Sequence, residues 1–289
     1  MRITRLDVPQ CAVGEGPVWD VETQRLFWID ILGKCVLALD PASGEVRTWQ
    51  VPKIIGSMAI SRDGNAIVAL IDGVYRLDLG NGACTLLASH PDLNEQIQLA
   101  DGKVDRRGRF IVGSSDRGMK EARGGLYALD PGAGALRKLD ADIFLSNGPC
   151  WSLDDRTLYH ADSIRKLIYA CDYDIDAGVA TNRRPFASTA DLGGIPDGAT
   201  VDAEDHVWSA ICEGKKLVRF RPDGSIERIV EMPLKLPGSV MFGGPQLDRL
   251  YVPTLSPAFL GRPADPLDGS TFVIEGLGIR GVPEPRFGA

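Results

Sequence analysis

Short apolar runs recur along the whole chain, and polar turns and Gly- or Pro-containing corners separate them. Residues 25–49 show one complete unit, with two apolar strands, a corner and a further strand. The first apolar residue after the polar turn recurs six times, at intervals of 41 to 49 residues: Leu26, Ile67, Phe110, Leu158, Val207 and Leu250. A repeat of roughly 40–50 residues that holds four short strands has the size of one β-propeller blade. The pattern predicts an all-β, six-bladed β-propeller.

The two ends of the chain complement each other in this pattern. The last unit lacks a fourth strand after residues 271–274, and an additional apolar segment at residues 3–8 precedes the first unit. We expect the N-terminal segment to complete the last blade, because closure of the ring protects an open sheet edge. Six units leave no room for a second domain, so residues 1–289 are predicted to form a single propeller domain.

Composition narrows the setting of the protein. The net charge is −7, and acidic and basic residues are mixed along the chain, which argues against nucleic acid or an anionic membrane as a partner. No apolar run approaches the roughly 18 residues of a membrane-spanning helix, and no basic-then-apolar leader opens the chain. The six cysteines are scattered singly, which argues against a disulfide scaffold. We therefore expect a cytoplasmic protein of undetermined oligomeric state.

The repeat also locates candidate functional residues, because the innermost strands of all blades line one central channel. Counting back ten to twelve residues from each anchor selects one equivalent position per unit. The residues at this position are Glu15, Gly56, Ala100, Asn147, Asp197 and Gly238. Two carboxylates and one amide are thus expected to converge in the channel.

Glu15, Asn147 and Asp197 form a hard-oxygen ligand set. Such a set suits one divalent ion, with Ca²⁺ the first choice and Mg²⁺, Mn²⁺, Zn²⁺ or Fe²⁺ left open, and three protein ligands leave positions for water and substrate. The alternative is that each side chain only accepts hydrogen bonds from backbone N–H groups in a turn, as Asp and Asn often do. Their shared position in the repeat favours the metal site.

Several motifs follow one another in a fixed order along the chain. They are Gly14-Glu15-Gly16-Pro17-Val18-Trp19, Asp101-Gly102-Lys103-Val104-Asp105, Ser146-Asn147-Gly148-Pro149, Ile195-Pro196-Asp197-Gly198, Phe242-Gly243-Gly244 and Gly276-Leu277-Gly278-Ile279-Arg280-Gly281. In this order they resemble the senescence-marker-protein-30/gluconolactonase family, which includes regucalcin and luciferin-regenerating-enzyme-like proteins. The resemblance spans essentially the whole chain. It implies a six-bladed propeller with one divalent ion held by residues matching Glu15, Asn147 and Asp197, and hydrolysis of sugar lactones by many members.

One departure from the family pattern concerns the substrate. Members that act on aldonolactones commonly carry Arg-x-Asn-Asp-Gly-Lys, where the Arg and Asn reach sugar hydroxyls or metal-bound water. Gln98 and Ala100 stand at those two positions here, so a cation and an amide are missing from that wall of the pocket. A less hydroxylated lactone suits the altered wall. Arg117, in a following loop, is a candidate replacement contact, or else a solvated loop charge.

Other catalytic signatures are weak. The GxGxxG pattern at 276–281 has only eight residues after it, too few for a dinucleotide-binding unit, and reads as a turn at a strand end. No GxSxG motif occurs, and Cys150, which is expected near the channel, has no evident base. A serine or cysteine hydrolase is therefore the weaker hypothesis.

The ligand set and the resemblance together predict a metal-dependent lactonase in carbohydrate metabolism. The ion would polarise the carbonyl of a small-molecule lactone, and Asp197 would serve as both metal ligand and general base toward water. Two alternatives stay open. One is another metal-dependent hydrolase on the same site, such as a phosphotriesterase, and the other is a calcium-binding propeller without enzymatic activity.

Overall fold

A computed structural model describes residues 1–92 and 94–288. Within these ranges the regular structure consists of twenty-four β-strands and two short 3₁₀ helices, at Ala190–Leu192 and Pro257–Leu260. The strands are β1 (Arg2–Arg5), β2 (Gly14–Asp20), β3 (Arg25–Asp30), β4 (Cys35–Leu39), β5 (Val46–Gln50), β6 (Ile55–Ile60), β7 (Ala66–Leu70), β8 (Gly73–Leu77), β9 (Cys84–Ser89), β10 (Ile97–Val104), β11 (Phe110–Asp116), β12 (Gly124–Leu129), β13 (Arg137–Ile143), β14 (Ser146–Trp151), β15 (Thr157–Asp162), β16 (Leu167–Asp174), β17 (Val179–Ser188), β18 (Ile195–Val201), β19 (Val207–Cys212), β20 (Lys216–Phe220), β21 (Ile226–Glu231), β22 (Met241–Gly243), β23 (Arg249–Pro253) and β24 (Thr271–Glu275).

The strands form six antiparallel four-stranded sheets, which are the six predicted blades. Blades 1 to 5 are β2–β5, β6–β9, β10–β13, β14–β17 and β18–β21, and blade 6 combines β22, β23 and β24 with β1. Every anchor residue of the repeat lies in the second strand of its blade, from Leu26 in β3 to Leu250 in β23. The all-β, six-bladed architecture is therefore confirmed.

The ring closes through the N-terminal segment, as predicted. β1 pairs antiparallel with β24, so that Ile3 lies opposite Ile274 and Thr4 opposite Val273. The partly buried Ile3 packs against the apolar cluster shared by blades 5 and 6. Blade 6 is thus built from the two ends of the chain, and β1 covers an edge of β24 that would otherwise be unpaired.

The apolar core is divided among the blade interfaces, with one cluster between each neighbouring pair of sheets. Side chains alternate between the two faces of a strand. In β3, Leu26 and Trp28 therefore pack toward blade 6, whereas Phe27 and Ile29 pack toward blade 2. Because both faces are buried, the strand reads as a continuous apolar run.

The C-terminal segment after β24 crosses the propeller and contacts four blades besides its own. It begins with the turn at residues 276–281 and continues without regular strands. Four contacts fix it: a bridge from Gly281 to Asp202 in blade 5, the ion pair of Arg286 with Asp20 in blade 1, the hydrogen bond from Phe287 N to Ile60 O in blade 2, and that from Gly288 N to Gly108 O in blade 3. This crossing was not part of the sequence prediction.

Closure of the ring can be tested with proline substitutions in β1. Leu6 N donates to Thr271 O at 2.9 Å. Hydrogen-bonded and non-hydrogen-bonded pairs alternate along an antiparallel ladder. Thr4 is therefore hydrogen-bonded to Val273, whereas the N–H of Arg5 points away from β24. Thr4→Pro should lower the free energy of unfolding by about 1–3 kcal/mol, because it removes a ladder donor. Arg5→Pro is the matched control and should cost clearly less. Equal loss in chemical denaturation would contradict this role of β1.

Candidate active site in the central channel

The three predicted oxygen donors line one cavity of about 290 Å³ in the central channel. Glu15 comes from blade 1, Asn147 from blade 4 and Asp197 from blade 5. Each sits on the innermost strand of its blade. Side chains more than 180 residues apart in sequence therefore share one space, as the repeat position predicted.

Local backbone geometry explains why these side chains face the channel. A β-bulge interrupts the ladder between the first and second strands at each donor position. A bulge redirects a side chain and leaves part of the strand unpaired. In every case the donor directly precedes a glycine, in the dipeptides Glu15-Gly16, Asp101-Gly102, Asn147-Gly148 and Asp197-Gly198.

The glycines are required by this geometry. Gly16 and Gly148 have φ angles of 51° and 57°, a region that side chains other than glycine rarely occupy. At Gly102, a Cβ atom would lie 2.9 Å from Ser57 Oγ. The bulges are therefore compatible with glycine and with little else.

Asp101 is a cavity residue that the repeat position did not select. Its Oδ2 accepts a hydrogen bond from Gly148 N at 2.8 Å, and its Oδ1 accepts one from Gly102 N at 2.7 Å. The sequence prediction chose its neighbour Ala100, because Asp101 stands nine residues before Phe110 and the count used ten to twelve. Both residues lie in the bulge of β10, and both line the cavity. The signal that could have found Asp101 is an oxygen donor directly before glycine, which it shares with the three predicted donors.

Asn147 is held in place by its amide nitrogen. Nδ2 donates to Ser163 Oγ at 3.0 Å, and that hydroxyl donates to Pro196 O at 2.6 Å. The amide oxygen of Asn147 therefore remains on the side of the cavity.

The cavity concentrates negative charge. Burial raises the pKa of Glu15 well above its usual range, and the nearby carboxylates of Asp197 and Asp101 raise it further. Burial and Asp101 likewise raise the pKa of Asp197 well above normal, and burial raises the pKa of Asp101. Among the lining residues that the structure describes, no Lys, Arg or His side chain compensates these carboxylates.

A divalent cation fits this donor set. Buried carboxylates that repel each other are stabilised by a shared cation, and carboxylate and amide oxygens are the ligands that hard cations prefer. Gly238 also leaves room for Glu15, because a Cβ at residue 238 would lie 2.5 Å from Glu15 Oε1. That Glu15, Asn147 and Asp197 coordinate one ion remains our prediction.

The predicted substrate contacts differ in placement. Gln98 and Ala100, both on β10, line the cavity. Arg117 is exposed and does not line the cavity. Met119, from the same loop, does line it. The structure thus places the altered wall in the cavity and the proposed replacement cation outside it.

The one thiol in the described lining is Cys212, and burial together with the nearby carboxylates of Asp197 and Glu15 raises its pKa well above the ordinary value, so it is not an activated nucleophile. Cys150 is buried outside the cavity lining, and burial raises the pKa of its thiol to about 12, so it stays protonated. Of the three histidines, His90 and His160 are buried away from the cavity, and His206 Nδ1 lies 2.8 Å from Glu204 O.

A second group of possible ligands lies between blades 3 and 4, outside the channel. It comprises Asp140, His160 and Cys171, whose donor atoms lie within 4.8 Å of one another. The Asp140 carboxylate is already occupied, because Arg183 donates to it at 2.9 Å. Burial raises the pKa of the Cys171 thiol to about 12. A cationic guanidinium and a protonated thiol disfavour a metal ion, and we assign the group to packing.

By its fold and its site, the protein is a six-bladed β-propeller with an acid-lined cavity in the central channel. Comparisons with known proteins identify the family. The family model described as the SMP-30/Gluconolactonase/LRE-like region matches residues 13–256. Regucalcin from Xenopus laevis is 32% identical over 286 residues, which cover 95% of this chain and 94% of that protein. The 6-deoxy-6-sulfogluconolactonase from Pseudomonas putida is 34% identical over 282 residues, with coverage of 95% and 94%.

A solved structure supports the same assignment. The calcium-binding protein regucalcin from Agrobacterium tumefaciens superposes with a TM-score of 0.90 at 27% identity, and the match covers 99% of this chain and 97% of that one. The chain belongs to the SMP-30/gluconolactonase/LRE-like family.

A search of the described residues for a membrane-spanning helix, one with sufficient length and apolar character, finds none.

The charge of the cavity predicts opposite effects of Glu15→Gln with and without a divalent ion. The pKa of Glu15 is raised in the folded protein, whereas a Glu side chain in the unfolded chain has a pKa of roughly 4.3. The folded protein therefore loses stability as the pH rises above that lower pKa. The metal-free variant at pH 8 should therefore melt at or above the wild-type temperature. Saturating Ca²⁺ should stabilise the wild type, by about 2.7 kcal/mol at roughly 100 times Kd, and the variant much less.

Thermal unfolding in chelator and in Ca²⁺ measures both effects. Glu45→Gln is the control, because this carboxylate is exposed and remote from the cavity lining. It should match the wild type under both conditions. An undiminished Ca²⁺ response in Glu15→Gln would show that Glu15 is not a ligand.

Proposed function

We propose that this protein is a metal-dependent lactone hydrolase that acts in the channel cavity. The observation that carries the proposal is the convergence of Glu15, Asn147 and Asp197 in one cavity, in a chain that belongs to this family. The name of the Pseudomonas putida relative, a 6-deoxy-6-sulfogluconolactonase, supports lactone hydrolysis. A small-molecule lactone is accordingly the proposed substrate, and the sugar-derived lactones of carbohydrate metabolism are the starting point.

Glu15, Asn147 and Asp197 are the proposed ligands of a single divalent ion, and Asp101 is a fourth acidic group beside them. Ca²⁺ is the first choice, since all donors are oxygens and a structural relative is described as a calcium-binding protein. Mg²⁺, Mn²⁺, Zn²⁺ and Fe²⁺ are the alternatives. When bound, such an ion supplies Lewis-acid polarisation of the lactone carbonyl.

The remaining chemistry belongs to residues of the chain. Water attacks the carbonyl carbon and passes a proton to the Asp197 carboxylate. The ring C–O bond then breaks, and protonated Asp197 returns that proton to the departing alkoxide oxygen, which gives the hydroxy acid and restores the carboxylate. Asp197 is suited to this role because it is buried, with 7% of its surface exposed, and faces the cavity. Asn147, held by Ser163, fixes the geometry of the site.

The cysteines support the proposed cytoplasmic location. All six are free thiols in the structure, and five of them are buried. Buried, unpaired thiols are typical of proteins that fold in a reducing compartment.

We also propose that residues 1–289 act as one domain, because Arg286 near the C-terminus pairs with Asp20 in blade 1.

Asp197→Asn separates catalysis from stability. The substitution keeps the shape and one oxygen donor but removes the charge and the basicity, so turnover at saturating ion should fall by roughly 10²-fold or more. The metal-free melting temperature should not fall, because a buried repelling charge is lost. The exposed neighbour Asp191 supplies the control Asp191→Asn, which should behave as wild type. If Asp197 only accepts turn hydrogen bonds, turnover of Asp197→Asn will stay near normal.

The substrate panel for this experiment also tests the alternative functions. It contains small lactones and a phosphotriester, each assayed with the ion-loaded protein. Turnover of the phosphotriester alone would replace lactonase by phosphotriesterase activity. Turnover of neither, with an intact ion-dependent melting shift, would support a calcium-binding propeller without enzymatic activity.

The altered wall predicts weak activity toward gluconolactone compared with a less hydroxylated lactone. The double substitution Gln98→Arg with Ala100→Asn should shift the preference toward gluconolactone by roughly 1–3 kcal/mol, because it replaces an amide by a cation at one lining position and adds an amide at the other. The ratio of kcat/KM values for the two lactones measures the shift. Wild-type turnover of gluconolactone that equals or exceeds the other lactone would disprove the role of this wall.

A further inference from the structure

We infer that the substrate is an uncharged lactone that carries an apolar substituent, rather than a polyhydroxylated or anionic sugar lactone. The inference rests on the proposed function and specifies its substrate class. It is carried by the oxygen donors, the buried apolar side chains and the exposed apolar side chains that make up the lining of the cavity.

The walls of the cavity, which are its lining apart from the oxygen donors and the exposed rim, are mainly apolar. Six of the lining residues pack together in a small apolar cluster that is separate from the blade interfaces: Val13, Ile31, Ile195, Cys212, Leu236 and Leu255. Ile54 and Leu145 continue the apolar lining from blades 2 and 4. Polar side chains are confined to the four donors, Gln98 and Glu213. Sugar hydroxyls placed against these walls would lose water without gaining hydrogen-bond partners.

The rim is apolar as well, although it is exposed to solvent. Met119 lies in the loop after β11, and Phe259 and Leu260 both lie in the short 3₁₀ helix after β23. Their exposed fractions are 50%, 39% and 51%. Exposed large apolar side chains that border a cavity are typical of a binding surface. A substituent that extends from the lactone ring toward solvent would cover them.

The charges of the cavity exclude an anionic substituent. Glu15, Asp101 and Asp197 are acidic, and the described lining contains no Lys, Arg or His. Arg262, close to the opening, is already paired with Glu213. A single divalent ion would leave this set negative. The sulfonate that the name of the Pseudomonas putida relative implies would find no counter-ion here.

A homologous series of δ-lactones tests the inference. The series runs from the unsubstituted ring to rings with alkyl side chains of up to about six carbons, with gluconolactone and its 6-sulfo derivative as polar and anionic members. We expect kcat/KM to rise about fourfold for each methylene that is buried, and to be lowest for the sulfonated lactone. The matching δ-lactams, which resist hydrolysis, should show the same chain-length trend in calorimetric Kd values.

A rim variant and a matched control locate the effect. Leu260→Ser should reduce kcat/KM for the long-chain lactones three- to tenfold and change that of the unsubstituted ring less than twofold. Leu86, in the outer strand of blade 2, is exposed to nearly the same extent, at 49% against 51%. Leu86→Ser should leave every substrate unchanged.

The outcomes separate this inference from the proposed function. If no lactone is hydrolysed but lactam affinity rises with chain length, the hydrolase assignment fails and the apolar site stands. If lactones are hydrolysed but gluconolactone or its sulfonated form is preferred, or chain length has no effect, the inference is overturned and the hydrolase assignment stands.

Discussion

The antiparallel pairing of β1 with β24 is the interaction on which the rest of this structure depends. Each blade stabilises its neighbours only through an apolar interface, and six such interfaces can form only if the sixth blade meets the first. The N-terminal strand completes that blade and brings residues from the two ends of the chain into one sheet. A closed ring then forces the innermost strands of all blades around one axis. The convergence of Glu15 with Asp197, from blades 1 and 5, is a consequence of this closure.

Closure creates an electrostatic cost that the site is built around. Three carboxylates share a buried space, and burial raises the pKa of all three. Repulsion from neighbouring carboxylates raises the pKa of Glu15 and of Asp197 further. The fold tolerates this because bulges and glycines hold the donors in place, and backbone N–H groups stabilise Asp101. A divalent cation would convert the repulsion into attraction. The same feature that destabilises the metal-free protein therefore suits the proposed chemistry.

The lining of the cavity combines two chemical characters. Four oxygen donors share it with mainly apolar walls and a partly exposed apolar rim. Function resides in sites placed on common folds, so the walls can set the substrate while the oxygen donors serve the proposed hydrolysis. Gln98, Ala100 and the apolar rim are the parts of the lining on which our substrate proposals rest.

The sequence by itself determined the propeller, its six blades, its closure and three of the four oxygen donors, because each depends on a local pattern repeated at a regular interval. It missed Asp101, which lies inside the bulge of its strand and only nine residues before Phe110, whereas Glu15 and Asn147 are paired just before their bulges; a fixed count along the chain does not register this difference. It placed Arg117 as a possible substrate contact, whereas the loop directs Met119 to the cavity instead. The aliphatic walls and the C-terminal crossing over four blades were likewise decided only by the tertiary structure. These residues lie in turns and in a segment without regular strands, whose paths are set by packing against distant blades rather than by periodicity.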